Sequence, residues 1–132
     1  MIANVITGKR ITGVPVDPVP TLLWTNPSPT SATNGFTANF DGSGYTGFII
    51  KCKYSYGADT PFSYTYVSVG DTEKVSAGAY IMIATSPYTR RIVSVSETGI
   101  EFGISYTGPG GGTSANFAIP THIWGVNIAF ES

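Results

Sequence analysis

Apolar and polar residues alternate with a period of two along most of this chain, and clusters of glycine, proline and asparagine interrupt the alternation. A period of two is typical of half-buried β-strands, because successive side chains of a strand point to opposite faces. The longest run covers residues 45–56, where Phe48, Ile50, Cys52 and Tyr54 share one face. The pattern therefore predicts an all-β fold of short strands joined by tight turns.

Roughly eight short strands follow from this pattern, and no stretch carries a helical stripe. They are predicted at residues 21–25, 35–41, 45–56, 62–69, 79–85, 90–96, 100–106 and 122–130. The connections are too short for helical crossovers, which favours an antiparallel β-sandwich or jelly-roll-like fold. A regular hairpin across the loop at 57–61 would place Tyr54 near Tyr64. The same hairpin would place Tyr56 near Phe62.

The chain divides into a short N-terminal segment and one body. Three prolines within residues 14–20 favour extended backbone there. We expect residues 1–20 to be an extended attachment segment or linker, and residues 21–132 to be one β-sandwich domain. The basic pair Lys9-Arg10 follows the first apolar residues, unlike the order in a secretory signal peptide. No apolar run is long enough for a membrane helix, so we expect synthesis in the cytoplasm and no membrane partner.

Charge is scarce, which narrows the classes of function. Charged residues make up 11% of the chain and the net charge is −1, whereas an average domain carries roughly 25% charged residues. Nucleic-acid binding needs a basic face, so we expect no nucleic-acid partner. A zinc or iron site needs several clustered ligands, and the chain has a single histidine and a single cysteine. We therefore expect no metal and no cofactor.

Few groups are available for catalysis, and each has a plainer interpretation. Glu97 and Glu101 flank one turn and could approach each other as an acid pair, but solvated hairpin residues are the favoured interpretation. His122 is interpreted as a structural histidine at the start of a strand. Cys52 is interpreted as a small buried side chain. We therefore predict that the protein is not an enzyme.

The aromatic residues around the predicted hairpin at residues 45–69 are the best candidates for ligand binding. Rings near Phe48 and Ile50 are explained by the core, but those nearer the loop would lie partly exposed beside Asp59. An apolar ring with a nearby hydrogen-bonding group suits the face of a sugar, and tyrosine is also favoured at protein interfaces. The candidate ligand-binding residues are Tyr54, Tyr56, Asp59, Tyr64, Tyr66 and Tyr88.

Four motifs in order along residues 21–130 are shared with a known group of domains. Residues 22–31 read LLWTNPSPTS. A Gly44-Tyr45 turn then precedes the long alternating strand. A hairpin pattern R-x-x-x-V-x-x-x-G-I-x-F is matched by Arg91, Val95, Gly99, Ile100 and Phe102. A closing strand pattern is matched by Pro120, Ile123, Trp124, Gly125 and Val126. The chain thus resembles a β-rich domain of phage and prophage tail, baseplate or receptor-binding proteins of Gram-positive bacteria.

This resemblance implies a virion structural protein of tail, fibre or decoration type. Its body would be displayed for binding to a host-surface glycan, and residues 1–20 would attach it to other virion proteins. Phage appendages are usually symmetric homo-oligomers, so we expect an oligomer, with a trimer favoured. The start at Met1 favours a small stand-alone protein over an excised domain. Two alternatives stay open, namely a free carbohydrate-binding module and a capsid or head decoration protein with no receptor role.

Overall fold

The computed structural model describes residues 19–28, 35–55, 58–70, 76–77, 88–107, 113–114 and 117–128. Within these ranges the chain forms strands and turns and no helix, which confirms the predicted all-β class. The strand predicted at 79–85, Tyr56 and residues 1–18 of the predicted attachment segment lie outside the described residues. The part of the chain that is described contains no helix able to span a membrane.

Nine strands are present in the described ranges. They are β1 (Thr21–Thr25), β2 (Phe36–Asn39), β3 (Gly47–Ser55), β4 (Ala58–Ser68), β5 (Ser76–Ala77), β6 (Tyr88–Ser96), β7 (Gly99–Thr107), β8 (Thr113–Ser114) and β9 (Phe117–Val126). The first sheet has the order β1-β9-β3-β4. The second has the order β2-β7-β6-β5, and β8 also pairs with β7. All of these pairings are antiparallel.

The two sheets share one core, as expected for a sandwich-like arrangement. Each core side chain is at most 3% exposed, and both sheets contribute to the set. The set comprises Ala38, Phe48, Ile50, Cys52, Val67, Ile92, Val95, Ile100, Phe102 and Ile123. Aromatic contacts continue the core to its edges, where Phe36 packs between Phe102 at 5.2 Å and Trp24 at 6.1 Å.

The register of the first hairpin differs from the prediction. β4 begins at Ala58, so the connection is shorter than the predicted loop at 57–61. Tyr64 lies opposite Lys51, three positions from the predicted neighbour Tyr54. Directly paired residues share a face, and side chains alternate between faces along a strand. A shift of the pairing by an odd number of residues therefore places Tyr54 and Tyr64 on opposite faces of the sheet. The predicted proximity of Tyr54 and Tyr64 is therefore wrong.

The last strand also begins earlier than predicted, at Phe117 instead of residue 122, and it ends at Val126. Pro120 lies inside it, where a proline normally argues against a central strand. The pairing with β3 is irregular at this point: Lys51 pairs with His122, whereas the next residue, Cys52, pairs with Pro120. Thr121 is thus an extra residue in the manner of a β-bulge, and such a bulge tolerates a proline that cannot donate a backbone hydrogen bond.

A buried arginine ties the two sheets together. Arg90 of β6 is 1% exposed and donates through Nε to the Ala118 carbonyl at 2.8 Å and through Nη2 to the Phe117 carbonyl at 3.1 Å. Its Nη1 donates to the Gly103 carbonyl at 2.8 Å. Successive carbonyls of a regular strand point to opposite sides, but Ala118 has a φ of +49°, and this departure lets both β9 carbonyls meet one guanidinium.

Candidate functional site

The outer face of the first sheet carries large aromatic side chains in contact with solvent. Tyr64 is 57% exposed, Phe62 45% and Tyr66 36%. The three residues alternate along β4, on the side of the strand away from the buried Val67. We refer to the surface made by Lys51, Phe62, Tyr64, Tyr66, His122 and Trp124 as the aromatic face.

Strand order brings these residues together from three parts of the chain. β3 lies between β4 and β9, so each outward residue of β3 has a neighbour on both sides. Lys51 pairs with Tyr64 and His122. Ile49 pairs with Tyr66 and Trp124 in the same way. Because directly paired residues share a face, these neighbours form one continuous surface.

The rings of the aromatic face contact one another across the sheet. Phe62 and Tyr64 pack edge to face with centroids 5.6 Å apart, and Tyr64 lies 6.0 Å from Trp124. Trp124 in turn stacks on His122 at 5.4 Å with an interplanar angle of 12°. Aromatic pairs in such geometries are worth about 0.5–1.5 kcal/mol beyond their burial. The rings therefore hold each other in place on a rigid sheet.

Lys51 places a positive charge in the middle of this surface. Its Nζ lies 4.4 Å from the centroid of the Phe62 ring and 5.9 Å from that of Tyr64. These distances fit cation–π attraction, which holds the ammonium group over the rings. Among the described residues the ammonium group has no hydrogen-bond or ion-pair partner. Its N–H donors are thus available to a ligand.

The hydrogen bonds around His122 fix its tautomer. The Thr121 hydroxyl donates to the Lys51 carbonyl at 3.2 Å, and a hydroxyl has only one proton to give. With the hydroxyl proton on that carbonyl, His122 Nδ1 is the donor in its 2.9 Å contact with Thr121 Oγ1. Burial, and then the charge of Lys51, lower the pKa of His122 from its ordinary value. The neutral ring consequently offers Nε2 as a hydrogen-bond acceptor.

The predicted ligand-binding residues do not form one site. Tyr64 and Tyr66 lie on the aromatic face, but Tyr54 and Tyr88 pack toward the core. Tyr54 lies 5.1 Å from Tyr88, and both contact Phe117, at 5.7 Å and 4.6 Å respectively. The hydrogen bond with Tyr88 raises the pKa of the Tyr54 phenol.

Two more of the predicted residues are not located by the structure. Tyr56 lies outside the described residues. The backbone of Asp59 belongs to β4, but its side chain lies outside the described part of the chain. Their predicted part in ligand binding stays a prediction.

Sequence reasoning did not include Lys51, Phe62, His122 and Trp124 among the candidate binding residues. Local alternation already groups Phe62 with Tyr64 and Tyr66, and it also groups His122 with Trp124. The missing information was that β9 lies beside β3, a contact between residues about seventy positions apart. The alternation of the last strand therefore indicated which of its residues share a face. It did not indicate that β3 is the neighbouring strand.

The fold keeps Cys52 and His122 apart. Cys52 is fully buried on the inner face, and burial raises the pKa of its thiol to about 12. His122 is on the opposite face of the same sheet, so the two do not meet. Glu97 lies in the exposed turn between β6 and β7, and Glu101 is exposed on the second sheet, where it pairs with Ser94. Within the described ranges, no three potential metal ligands cluster together.

A pocket of about 210 Å³ lies at the edge where the two sheets meet. Trp24, Asn26 and Phe36 line it, with Arg90 and Ile119 behind them. The side-chain amide of Asn26 already donates a hydrogen bond within the protein, to the Pro120 carbonyl at 2.9 Å. Ligand pockets usually enclose about 300–1,000 Å³, so the aromatic face is the stronger candidate site.

Comparison with known proteins adds no family to this picture. The sequence matches no protein-family model, and the searches of curated proteins and of solved structures found no match. Several residues of the shared motifs have structural positions, because Val95, Ile100, Phe102 and Ile123 belong to the core. The aromatic face is therefore the feature of the structure that bears on function.

Proposed function

We propose that this protein is a non-enzymatic component of a phage particle that binds a saccharide on the host surface through the aromatic face. The observation that carries this proposal is the exposure of Phe62, Tyr64 and Tyr66 on the outside of an ordered sheet. The phage context rests on the sequence resemblance, as does the attachment of residues 1–20 to other virion proteins. A free carbohydrate-binding module would use the same surface without a particle.

Exposed rings of this size are unfavourable in water unless something covers them. Burial of apolar surface is worth about 25 cal/mol per Å², so the uncovered rings forgo stabilisation that a core position would give. Large apolar patches on monomeric proteins commonly mark binding sites. A sugar suits this one, because its C–H groups can lie on a ring while its hydroxyls bond to neighbouring polar groups such as Lys51 and His122.

The aromatic face is also shaped before any ligand arrives. Tyr66 lies directly over Gly47, where even a Cβ atom would come within 2.6 Å of the tyrosine ring. Together with the ring contacts of Tyr64, this limits the rearrangement needed on binding. Preorganised surfaces lose less conformational entropy when they bind.

One observation favours a second candidate, an interface between copies of this chain. Leu22 is 52% exposed on β1, and β1 pairs only with β9 among the described strands. Leu22 lies opposite Trp124, so it extends the apolar surface to an edge strand. Tyrosine and tryptophan are also enriched at protein interfaces. A homo-oligomer, with the trimer implied by the resemblance, would bury this surface.

Binding to purified Gram-positive cell wall polysaccharide tests the proposal. The wild-type protein is compared with Tyr64→Ala and Trp124→Ala, and Thr37→Ala on the outer face of the second sheet is the matched control. We expect both aromatic variants to lose binding by about tenfold or more, with the control unchanged and all variants folded. Equal binding by all four proteins would refute the proposal.

Solution mass, measured by light scattering on the same four proteins, separates the two candidates. If the aromatic face binds sugar, Trp124→Ala leaves the oligomeric state unchanged. If the face is a subunit interface, the same variant dissociates the oligomer and its loss of polysaccharide binding is secondary.

A further inference from the structure

We infer that the ligand of the aromatic face is an acidic saccharide, a sugar that bears a carboxylate or a phosphate group, and that Lys51 recognises its charge. This inference rests on the proposed function, since it names the class of saccharide that the surface takes. It is carried by the position of the Lys51 ammonium group among the exposed rings.

The first argument is the distribution of charge over the described residues. Lys51 lies at the centre of the aromatic face and His122 is its direct neighbour. The described acidic side chains all lie elsewhere. Asp41 accepts hydrogen bonds from Ser43 in a turn, Glu97 lies in the turn after β6, and Glu101 is on the second sheet. Among the described residues no carboxylate lies beside Lys51, so its positive charge would attract an anionic group to this surface.

The second argument is the unused hydrogen-bonding capacity of the ammonium group. The Phe62 ring 4.4 Å away holds it by cation–π attraction, which supplies no hydrogen-bond acceptor for its protons. A carboxylate or phosphate oxygen would complete its coordination with charge-assisted hydrogen bonds, which are roughly twice as strong as neutral ones. A neutral sugar hydroxyl would gain less from the same donor.

The third argument is the distance between the charge and the most exposed ring. Nζ lies 5.9 Å from the centroid of Tyr64, whose side chain is 57% exposed. This separation is comparable to the width of one pyranose ring. A single sugar stacked on Tyr64 can therefore direct an acidic substituent toward Lys51 without a second site.

The experiment measures the affinity of the full chain for three matched probes. They are a neutral gluco-oligosaccharide, the same oligosaccharide with C6 carboxylates, and the same oligosaccharide with C6 phosphates. We expect at least one acidic probe to bind about tenfold or more tightly than the neutral probe, and the preference to weaken with added salt. The acidic probe that binds better identifies which anionic group the natural ligand carries.

Variants connect this preference to Lys51. Lys51→Gln removes the charge and is expected to reduce the acidic preference to about twofold or less, whereas Lys51→Arg retains it. Glu101→Gln removes a negative charge from the second sheet and so raises the net charge, and it should leave the preference unchanged. Thermal unfolding of each variant checks that the fold is intact.

The remaining outcomes separate the inference from the proposed function. Equal binding of neutral and acidic probes by wild type and Lys51→Gln overturns the inference but leaves saccharide binding standing. Binding of none of the three probes overturns both. Binding of poly-glutamate without any saccharide also overturns both, because the surface would then recognise acidic protein.

Discussion

The outer faces of the two sheets are built from opposite kinds of residue. On the second sheet, Thr37, Glu101 and Ser94 form a polar row across β2, β7 and β6. On the first sheet, the outer side of β4, β3 and β9 carries the aromatic face instead. Both sheets supply similar apolar side chains to one core, so the core does not require this difference. The usual pattern of apolar inside and polar outside is followed by one sheet and broken by the other, as expected where a surface has a binding role.

The largest expected effect comes from truncating rings on the two sides of the first sheet. Phe48 is fully buried and packs against Phe40 at 5.0 Å, so Phe48→Ala should lower the free energy of unfolding by about 3–5 kcal/mol. Tyr64→Ala on the other side removes two exposed ring contacts and should lower it by about 1–2 kcal/mol. Urea unfolding followed by fluorescence measures both. A loss above about 2 kcal/mol for Tyr64→Ala, the lower end of the cost of truncating a large core side chain to alanine, would mean that the aromatic face is structural.

The next largest change in the free energy of unfolding is expected from loss of the Arg90 contacts between the sheets. Arg90→Met fills similar volume but leaves three carbonyl groups, one buried and two partly buried, without the Arg90 donor, so we expect a loss of about 3 kcal/mol. Arg90→Lys should rescue only part of it, because an ammonium group cannot reproduce the planar guanidinium geometry. Denaturant unfolding tests both variants with Glu101→Gln as the control. Full rescue by lysine would show that charge alone matters here.

The smallest effect concerns pH and the aromatic face. The pKa of His122 is lowered in the folded state, so the unfolded chain takes up a proton more readily. Stability from this residue is full above about pH 6.5 and declines as pH falls through the lower folded pKa. Because His122 is partly exposed, the decline should be small.

The test compares unfolding at about pH 8 and about pH 5 in wild type and His122→Asn, which keeps a donor near Thr121. Wild type should lose more stability than the variant on acidification. Carboxylates elsewhere titrate in both proteins, so they cancel in the difference. An identical decline in the two proteins would argue against a lowered pKa for His122 in the folded state.

These contrasts also explain what the sequence could and could not reveal. Strand content was predictable because alternation is local, and the core members Phe48, Ile50 and Cys52 were grouped correctly for that reason. The face of Tyr54 relative to Tyr64 depended on the length of one turn, and an error of three positions reversed it. The start of β9 at Phe117, ahead of Pro120, depended on a bulge that has no local signature.

The two unpredicted features share a cause in long-range pairing. Arginine is rarely buried, and the residues near Arg90 in the sequence do not indicate that it contacts carbonyl groups of β9. Likewise, Trp124 and Lys51 become neighbours only through the order of strands in the first sheet. Such contacts are properties of the assembled sandwich and not of any one segment.

The position of β9 has a consequence for how the protein is made. β9 lies between β1 and β3 in the first sheet, although β1 leaves the ribosome about a hundred residues earlier. Until residues 117–126 emerge, β1 lacks its partner among the described strands, one edge of β3 is open, and two of the three carbonyl groups that bind Arg90 do not yet exist. The nascent chain therefore waits with unpaired strand edges. The first sheet is completed late and through contacts between residues distant in the sequence, which favours slow folding. A chaperone that shields the open strand edges during synthesis would therefore help this chain to fold.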